Sequence, residues 1–535
     1  MDIKDIKTRE EDFSSLWERM ESDRDMVQKS TFRAREFGDK NAAIIPKTYH
    51  VDLRLPGKDY SKFMSKLLGL VMKYTVLTED AKFDNGNLIN WINDADFVVN
   101  KRMRKAGKDS YRARHTAFAC LAGWFVEQNN WRLDDKGLLI PDTRTIWPRY
   151  ISWDTDVDGL TWACPLYYRT PKDVLSEYPD AAVNENDSKL IEVRDSWDRE
   201  ENVVYINDVA QEGVPNLHGY VPFVIIPAPW GPIFDGDEAL ASQGESIFFP
   251  QRSLYDEANF NASISKTMAR EGMDPPIQSA GNVPEDKPGA GDMIGNQTEP
   301  LQPIPRADMT NAQRNYSGLI SGTLQQNSFS MTSSGSVTSP MSGDAIDSLN
   351  RGGEEVLNSR KTLLQDGFAM SAQMRLDQYI ALGEPLKMGK QGHTYKPEDL
   401  VGEFDIECRM FDGSPQGYAQ RGQAAGMLFG TMPKRWIRQE IIMADDPDNV
   451  DDEVDSEKGE DVDPIDGMYD RVLGNIKRGF SRKDDSLKML ALMELQTLKL
   501  VLKQRVGQGV PDPMNNKTEK ERPMPATMKG GNNVQ

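Results

Sequence analysis

The sequence predicts an α+β fold, mainly helical, on three observations. Apolar residues recur at helical spacing near both ends of the chain. A block of short β-type runs broken by Asp, Gly and Pro lies from Trp131 to Ile226, and a Pro- and Gly-rich stretch separates two rod-like helical segments at the centre. With 535 residues and 38% apolar content, the chain is long enough for two to four domains with cores of their own.

Taken in order, the stretch from about Thr8 to Arg35 carries Phe13, Leu16, Met20 and Met26 among many charges, which predicts a solvent-exposed amphipathic helix. Asp59 to Leu77 reads as a second helix with Phe63, Leu67, Leu68, Val71 and Met72 on one face. Asn85 to Lys105 and Ser110 to Gln128 read as two more, the last burying Phe118, Leu121, Trp124 and Phe125. From Trp131 the period shortens. Gly137 to Ile140, Thr145 to Trp147, Tyr150 to Trp153 and Leu166 to Tyr168 are strand-like, as is Val203 to Ile226 after a short helix near Pro171 to Tyr178. The apolar run Val221 to Trp230 reads as a buried strand, and residues 1–235 as one mixed domain.

At the centre, Gln251 to Gly272 places Leu254, Ala258, Ala262, Ser265 and Ala269 on one side, a small-residue stripe that permits close helix approach. Its 22 residues make a rod about 33 Å long. Met273 to Ala307 holds seven Pro and four Gly in 35 residues, which excludes regular helix and predicts a compact loop or small β module. Asp308 to Ser328 is helical again, with Met309, Ala312, Tyr316, Leu319 and Thr323 at 3–4 spacing. Two rods joined by such a module predict an antiparallel pair with a protruding tip.

Asn315 to Gly343 then runs for 29 residues without Asp, Glu, Lys, Arg or His, and its second half, Asn327 to Ser342, has nine Ser or Thr in sixteen. At 28% charged residues overall, about eight charges are expected in such a stretch. The segment reads either as a flexible Ser/Gly linker or as a loop facing a polyanion, where a cation would grip and an anion would repel. A long helix follows from Ser342 to Gly383, with Gly352-Gly353 as a kink. Glu403 to Phe411 is strand-like, Gln416 to Phe429 and Pro433 to Met443 are short helices, and Asp484 to Arg505 is a final helix. Pro511 to Gln535 reads as disordered.

The charge is acidic and uneven. A net charge of -20 argues against a dedicated high-affinity nucleic-acid binder. Asp445 to Asp466 alone holds twelve acidic residues and one Lys, a solvated block, while Arg471 to Gln535 holds thirteen basic and six acidic residues. Cys120, Cys164 and Cys408 are too few and too scattered for a disulfide framework or a thiolate metal site, so a reducing cytosol is expected. The start lacks signal-peptide character and no apolar run is long enough to span a bilayer, so neither secretion nor membrane insertion is expected.

Catalytic motifs are weak. Asp154, Asp156 and Asp158 begin like an EF-hand loop, but Pro165 stands where the bidentate Glu belongs, leaving an Asp-rich turn with a cation site as the minor alternative. Ser263 and Lys266 have S-x-x-K spacing without the companion motifs. No phosphate loop, dinucleotide fingerprint or H-E-x-x-H occurs, and the four His are isolated. No catalytic residue, cofactor or enzymatic activity is expected.

This order of parts resembles that of tailed-bacteriophage portal proteins, from about Asp59 to Arg505. Ser339-Pro-Met-Ser-Gly343-Asp-Ala-Ile-Asp-Ser-Leu349 is similar to the Ser-Gly-x-Ala-x-x-x-Leu opening of that family's kinked helix. Gly430-Thr-Met-Pro-Lys-Arg-Trp-Ile-Arg-Gln-Glu440 with Asp445-Asp-Pro-Asp448 is similar to its small helix and acidic turn, and Tyr150 to Tyr178 to its wing strand and following helix. The resemblance implies a wing, stem, clip and crown architecture with a long kinked helix. Residues 1–58 would be an N-terminal helical extension, 59–250 the first part of the wing, 251–272 stem helix 1, 273–307 the clip and 308–328 stem helix 2. A tunnel loop would follow at 329–342, the kinked helix at 343–383, the closing part of the wing at 384–443, the acidic segment at 444–466, crown helices at 467–510 and the tail at 511–535. The acidic segment and the tail depart from the family pattern.

The resemblance also implies a homo-oligomeric ring, commonly a dodecamer, at one capsid vertex of the virion, assembled in the host cytoplasm. Viral double-stranded DNA passes through such a ring without sequence specificity, driven by the terminase large subunit. Phe329, Ser330, Met331, Thr332, Ser334, Ser336, Thr338 and Met341 would line the channel. Ile277, Asp286, Lys287, Asp292, Ile294 and Ile304 would dock terminase and then the head-tail adaptor. Leu254, Ala258, Ala262, Ala269, Ala312, Tyr316 and Leu319 would pack the stem, while major capsid and scaffold proteins would surround the ring. A non-channel virion or scaffold protein, and an intracellular carboxylate-dependent hydrolase, are the alternatives.

Overall fold

Helical and alternating stretches of the sequence resolve into ten helices and a set of mainly antiparallel strands among the described residues. The computed structural model describes residues 2–442, apart from 29–31, 36–42, 79–82, 134–138, 186–187, 232–236, 274–276, 280–292, 295–300, 304–310, 327–342, 389–391, 414, 429–430 and 434–436. Beyond 442 it describes only 472, 489, 492–497 and 499. Two compact units divide at residue 418. The helices are α1 (Ile3–Asp12), α2 (Ser14–Gln28), α3 (Leu55–Gly69), α4 (Asn85–Lys105), α5 (Tyr111–Leu121), α6 (Pro171–Glu177), α7 (Arg252–Met273), α8 (Asn311–Gln326), α9 (Gly343–Leu382) and α10 (Pro415–Leu428). The second unit contains the end of α10, a π-helical turn at Ile437–Ile442 and helical residues within 472–499.

Local chemistry sets the helix starts. Asp84, Ser110 and Thr170 each accept a backbone N–H of the first turn of α4, α5 and α6, and Pro171 opens α6 where no N–H is needed. Two boundaries differ from the sequence expectation. Helix α3 ends at Gly69, and Leu70–Leu77 is a strand in full antiparallel register with Asp405–Asp412, from Leu70 opposite Asp412 to Leu77 opposite Asp405. Likewise α5 stops before Gly123, whose φ of +73° favours glycine, and Trp124–Gln128 is a fully buried strand between Phe223–Pro227 and Arg144–Thr145. Trp124–Gln128 is buried on both faces and carries no helix-or-strand signature of its own, whereas Leu70–Leu77 buries only Tyr74 and Val76, and its Val71 and Met72 continue the helical spacing of α3.

A further difference concerns the N-terminus. Phe13, Leu16 and Met20 are fully buried among Trp124, Trp153 and Phe223, so α2 and the junction before it are core, not an exposed amphipathic helix. Phe13 meets Trp153 edge-on at 4.4 Å between ring centroids. Helix α1 lies on the six-stranded antiparallel sheet, where Ile6 packs with Trp162, Cys164 and Tyr205. The carboxylate of Glu10 accepts two hydrogen bonds from Arg194, at 3.0 and 3.1 Å. Within that sheet Asn207 and Asp208 both take positive φ, the two-residue hairpin geometry that suits the right-handed strand twist.

Helix α9 is the spine of the first unit. Its 40 residues span about 60 Å, and the helical backbone continues through Gly352 and Gly353. Leu364, Phe368, Ala372, Leu376 and Tyr379, spaced three or four apart, are fully buried against α3, α4, α5 and the central strands. Each large apolar side chain sealed this way contributes about 1.5–3 kcal/mol. At Gly367 a Cβ would stand 2.4 Å from the ring of Phe125, so only glycine lets the strand approach this closely.

Polar groups thread the same interface. Arg375, fully buried, pairs with Asp96 at 2.8 Å, and Asp96 also accepts the Tyr74 hydroxyl at 2.8 Å. Ser371 donates to Glu127, whose other oxygen accepts from His115 Nε2 at 2.6 Å. Asn129 donates to Ser371 Oγ at 3.0 Å and accepts the Thr143 hydroxyl at 3.0 Å, while Gln378 donates to the Asn129 carbonyl at 2.8 Å. Burial alone would raise the Glu127 pKa, but the hydrogen bond and charge of His115, with Arg375 and Ser371, hold it below the usual value of 4.5.

Two outcomes follow. Replacing Gly367 with Ala should destabilise the protein by about 1–3 kcal/mol through overpacking against Phe125, measured by denaturant unfolding. Because the Glu127 pKa is lower folded than unfolded, its contribution is complete above about pH 4.5 and is lost as pH falls through the folded value. Glu127→Gln should therefore lower stability at neutral pH by about 3–5 kcal/mol and flatten the acid limb of the stability-pH curve.

Candidate functional site

The two rods and the module between them form the part of the fold with the least conventional layout. Helix α7 leaves the main core, where Tyr255 is buried, and α8 returns to it, where Leu324 packs. The rods therefore run in opposite senses. Between them Ile277–Ser279 forms the centre of a three-stranded sheet, parallel to Met293–Ile294 and antiparallel to Leu301–Pro303. The expected β module is present, built from strands short enough to tolerate the surrounding prolines.

The root of α7 is clamped by charge. The carboxylate of Asp23, on α2 and only 1% exposed, accepts from Arg252 Nε and Nη2, both at 2.8 Å, and from the Ser246 hydroxyl at 2.7 Å. Arg252 Nη2 also reaches Glu245 Oε2 at 2.7 Å, and Arg19 lies 3.3 Å from the other Glu245 oxygen. Arg19 donates to the carbonyls of Gln243 and Gly244 at 2.9 and 3.0 Å, and Arg360 of α9 donates to the Glu245 carbonyl. Burial lowers the Arg252 pKa, but Asp23 and Glu245 more than compensate and raise it. For Arg360, burial dominates and brings the guanidinium down to about 10. One cluster thus ties the N-terminal helices, the outgoing rod and the spine together.

Of the residues expected to pack the stem, Ala258 is buried, Leu254 and Ala262 are half-buried, and Ala269 is exposed. Ala258 and Ala262 face Ile320 and Leu324 of α8 across a cleft of about 410 Å³ within the same chain. Tyr316 and Leu319 are 47% and 66% exposed, leaving an apolar outer face on α8. The Ala312 side chain lies outside the described residues, although its backbone is part of α8. Ile277 and Ile294 are on strands of the module. Asp286, Lys287, Asp292 and Ile304 lie outside the described residues, as do all eight expected channel residues from Phe329 to Met341.

The remaining candidates separate. Asp154 receives Arg9 at 3.5 Å and the Thr155 N–H at 2.9 Å; Asp156 receives Arg199 and the Asp158 N–H at 2.9 and 2.8 Å. These partners hold an Asp-rich turn, and no cluster of three or more metal-ligating side chains occurs among the described residues. Ser263 and Lys266 point to different tasks, Ser263 accepting the Val51 N–H at 2.9 Å and Lys266 lying over the Tyr49 ring at 5.5 Å. The buried trio Ser371, Glu127 and His115 places the carboxylate between the hydroxyl and the imidazole. That order pairs the serine hydroxyl with the carboxylate and not with the imidazole, and all three side chains are sealed from solvent.

Two features lie beyond the sequence pattern as read above. Asp23 and Arg252 are 229 positions apart, with nothing local to link them. Asn259, Ser263 and Thr267 do carry a signal, a polar row at four-residue spacing on the most buried side of α7. No family model matches the chain, and no curated protein matches it.

Asp23→Ala should leave Arg252 partly unpaired and the buried Ser246 hydroxyl without its acceptor, and cost about 3–5 kcal/mol. Urea unfolding of the full chain checks this, and a loss below about 1 kcal/mol, the range of an exposed ion pair, would contradict the clamp.

Proposed function

We propose that this chain is the subunit of a portal-type ring, the conduit through which double-stranded DNA enters and leaves a tailed-phage capsid at one vertex. The observation that carries the reading is the order of pieces. An α+β body gives rise to rod α7, a three-stranded module and returning rod α8; the uncharged stretch follows, and α9 runs back to become the body's spine. The body is then closed by Asp405–Asp412 pairing with Leu70–Leu77, so that its last strand meets its first and the whole excursion lies between them in sequence. A chain that sends out a rod-and-tip excursion and returns to its own core suits a ring subunit, because its rods can line an axis while its body packs outward.

Charge supports the same reading. Each phosphate neutralised by Lys or Arg releases counterions and deepens binding, so a conduit that must pass DNA cannot grip it. The stretch Asn315 to Gly343 has no charge at all, and the whole chain is net -20. Ser, Thr and Met side chains from Phe329 to Met341 would present neutral, deformable contact to a moving duplex. The module containing Ile277 and Ile294 would meet the terminase motor during packaging and the head-tail adaptor afterwards. With no phosphate-cradling motif in the sequence, ATP hydrolysis belongs to the motor. Capsid and scaffold proteins would contact the body, placing the ring in the virion.

Two measurements test this. Light scattering of the purified full-length protein should give a mass near twelve times the 60.3 kDa chain; a stable monomer at packaging-like salt contradicts the reading. Replacing Ser330, Ser334 and Ser336 by Lys should leave ring mass unchanged and slow DNA packaging severalfold. Packaging at the original rate would remove the channel assignment.

A further inference from the structure

The outgoing rod buries a row of polar side chains. Asn259, Ser263 and Thr267 stand at four-residue spacing on α7 and are all buried. Each accepts a backbone N–H from one extended segment. Leu53 N–H reaches Asn259 Oδ1 at 2.9 Å, Val51 N–H reaches Ser263 Oγ at 2.9 Å, and Tyr49 N–H reaches Thr267 Oγ1 at 3.0 Å. The periods match, because four helical residues advance about 6 Å and two extended residues about 6.6 Å. Over three rungs the mismatch is only about 1 Å.

The hydroxyls are suited to accept. Ser263 Oγ donates to the Asn259 carbonyl at 2.8 Å and Thr267 Oγ1 donates to the Ser263 carbonyl at 2.8 Å. With their protons turned back onto the helix, they present lone pairs to the segment. Lys47 and Arg54 bracket it with φ of 54° and 52°, a region that residues other than glycine seldom occupy. Lys266 covers the Tyr49 ring at one end; at the other, α3 begins and its Asp59 accepts the Tyr255 hydroxyl at 2.9 Å.

The side of α7 that faces α8 is looser. There a cleft of about 410 Å³ separates α8 from α7, from Leu53 of the segment and from Leu55, Asp59 and Lys62 of α3, and two of its lining residues, Asn261 and Ser317, hold a buried amide nitrogen and a buried hydroxyl with no hydrogen-bond partner among the described residues. We infer that residues 48–54 are a strap that fastens α7 to the body, so that the outgoing rod moves with the body while the returning rod can shift against both. The portal reading supplies only its use, a stem whose two rods respond differently to a passing duplex; the strap stands on its own geometry.

Hydrogen exchange on the full-length protein, read by mass spectrometry, tests it. Two variants attack the contact from opposite sides: N259A/S263A/T267A removes the acceptors, and Val51→Pro removes the central N–H. In both, exchange across residues 47–54 should accelerate at least about tenfold, while peptides from the second half of α9 change less than about twofold. Unchanged exchange at 47–54 in a variant whose α9 stays protected overturns the inference. If the triple variant does not fold, Val51→Pro carries the same comparison. Light scattering on the same samples keeps the two ideas apart, because strap release in a protein that forms no ring would retain the strap and remove the portal.

Discussion

A helix that carries rods at one end and a domain at the other must not slide along its axis, and buried charge is what fixes α9. Away from Gly367, apolar packing tolerates axial slip, because a four-residue shift puts a new hydrophobic row over the same surface. The pair Arg375 with Asp96 has no such equivalent. A four-residue shift would set Tyr379 or Ser371 against Asp96, and Gly367 or Arg375 against Glu127. Even a shift by one residue, about 1.5 Å, would strand charges that cost several kcal/mol each when unpaired in the interior. The polar seam and the close contact of Gly367 with Phe125 therefore specify register, where the rest of the apolar stripe specifies only burial.

The clamp at the root of α7 extends this constraint to the N-terminus. Asp23 holds Arg252, Arg252 holds Glu245, and the backbone of Glu245 receives Arg360 from the spine. Helices α1 and α2 are thus part of the framework that orients the rods, and Phe13, Leu16 and Met20 give them an apolar footing. Cys120, Cys164 and Cys408 are buried and unpaired, and burial pushes the Cys120 thiol up to about 12, as suits inert packing groups.

Much of the fold is legible in the sequence. The long helix, the two rods, the β module between them and the strand-rich block all follow from period and from Pro and Gly placement. Misreadings fall where those signals vanish or mislead. In Leu70 to Leu77 the helical spacing of Phe63, Leu67 and Leu68 continues through Val71 and Met72, in the fully buried Trp124 to Gln128 neither period survives, and in both a partner strand distant in sequence decides. The many charges between Thr8 and Gln28 mask three core side chains, so that segment reads as exposed when it is not. For the site, the small-residue stripe on α7 is visible, and the row that holds the strap lies one step round the helix, marked by its four-residue spacing but with no apolar side chain to show that Asn259, Ser263 and Thr267 are buried.

The rods, the uncharged stretch and the fixed spine together make a mechanical proposal about a channel, and imaging addresses it most directly. Electron microscopy of the purified full-length protein should show closed rings with the rods gathered around a central opening wide enough to pass a DNA duplex. Uniform single particles of one chain's size, or assemblies without a central opening, would contradict it.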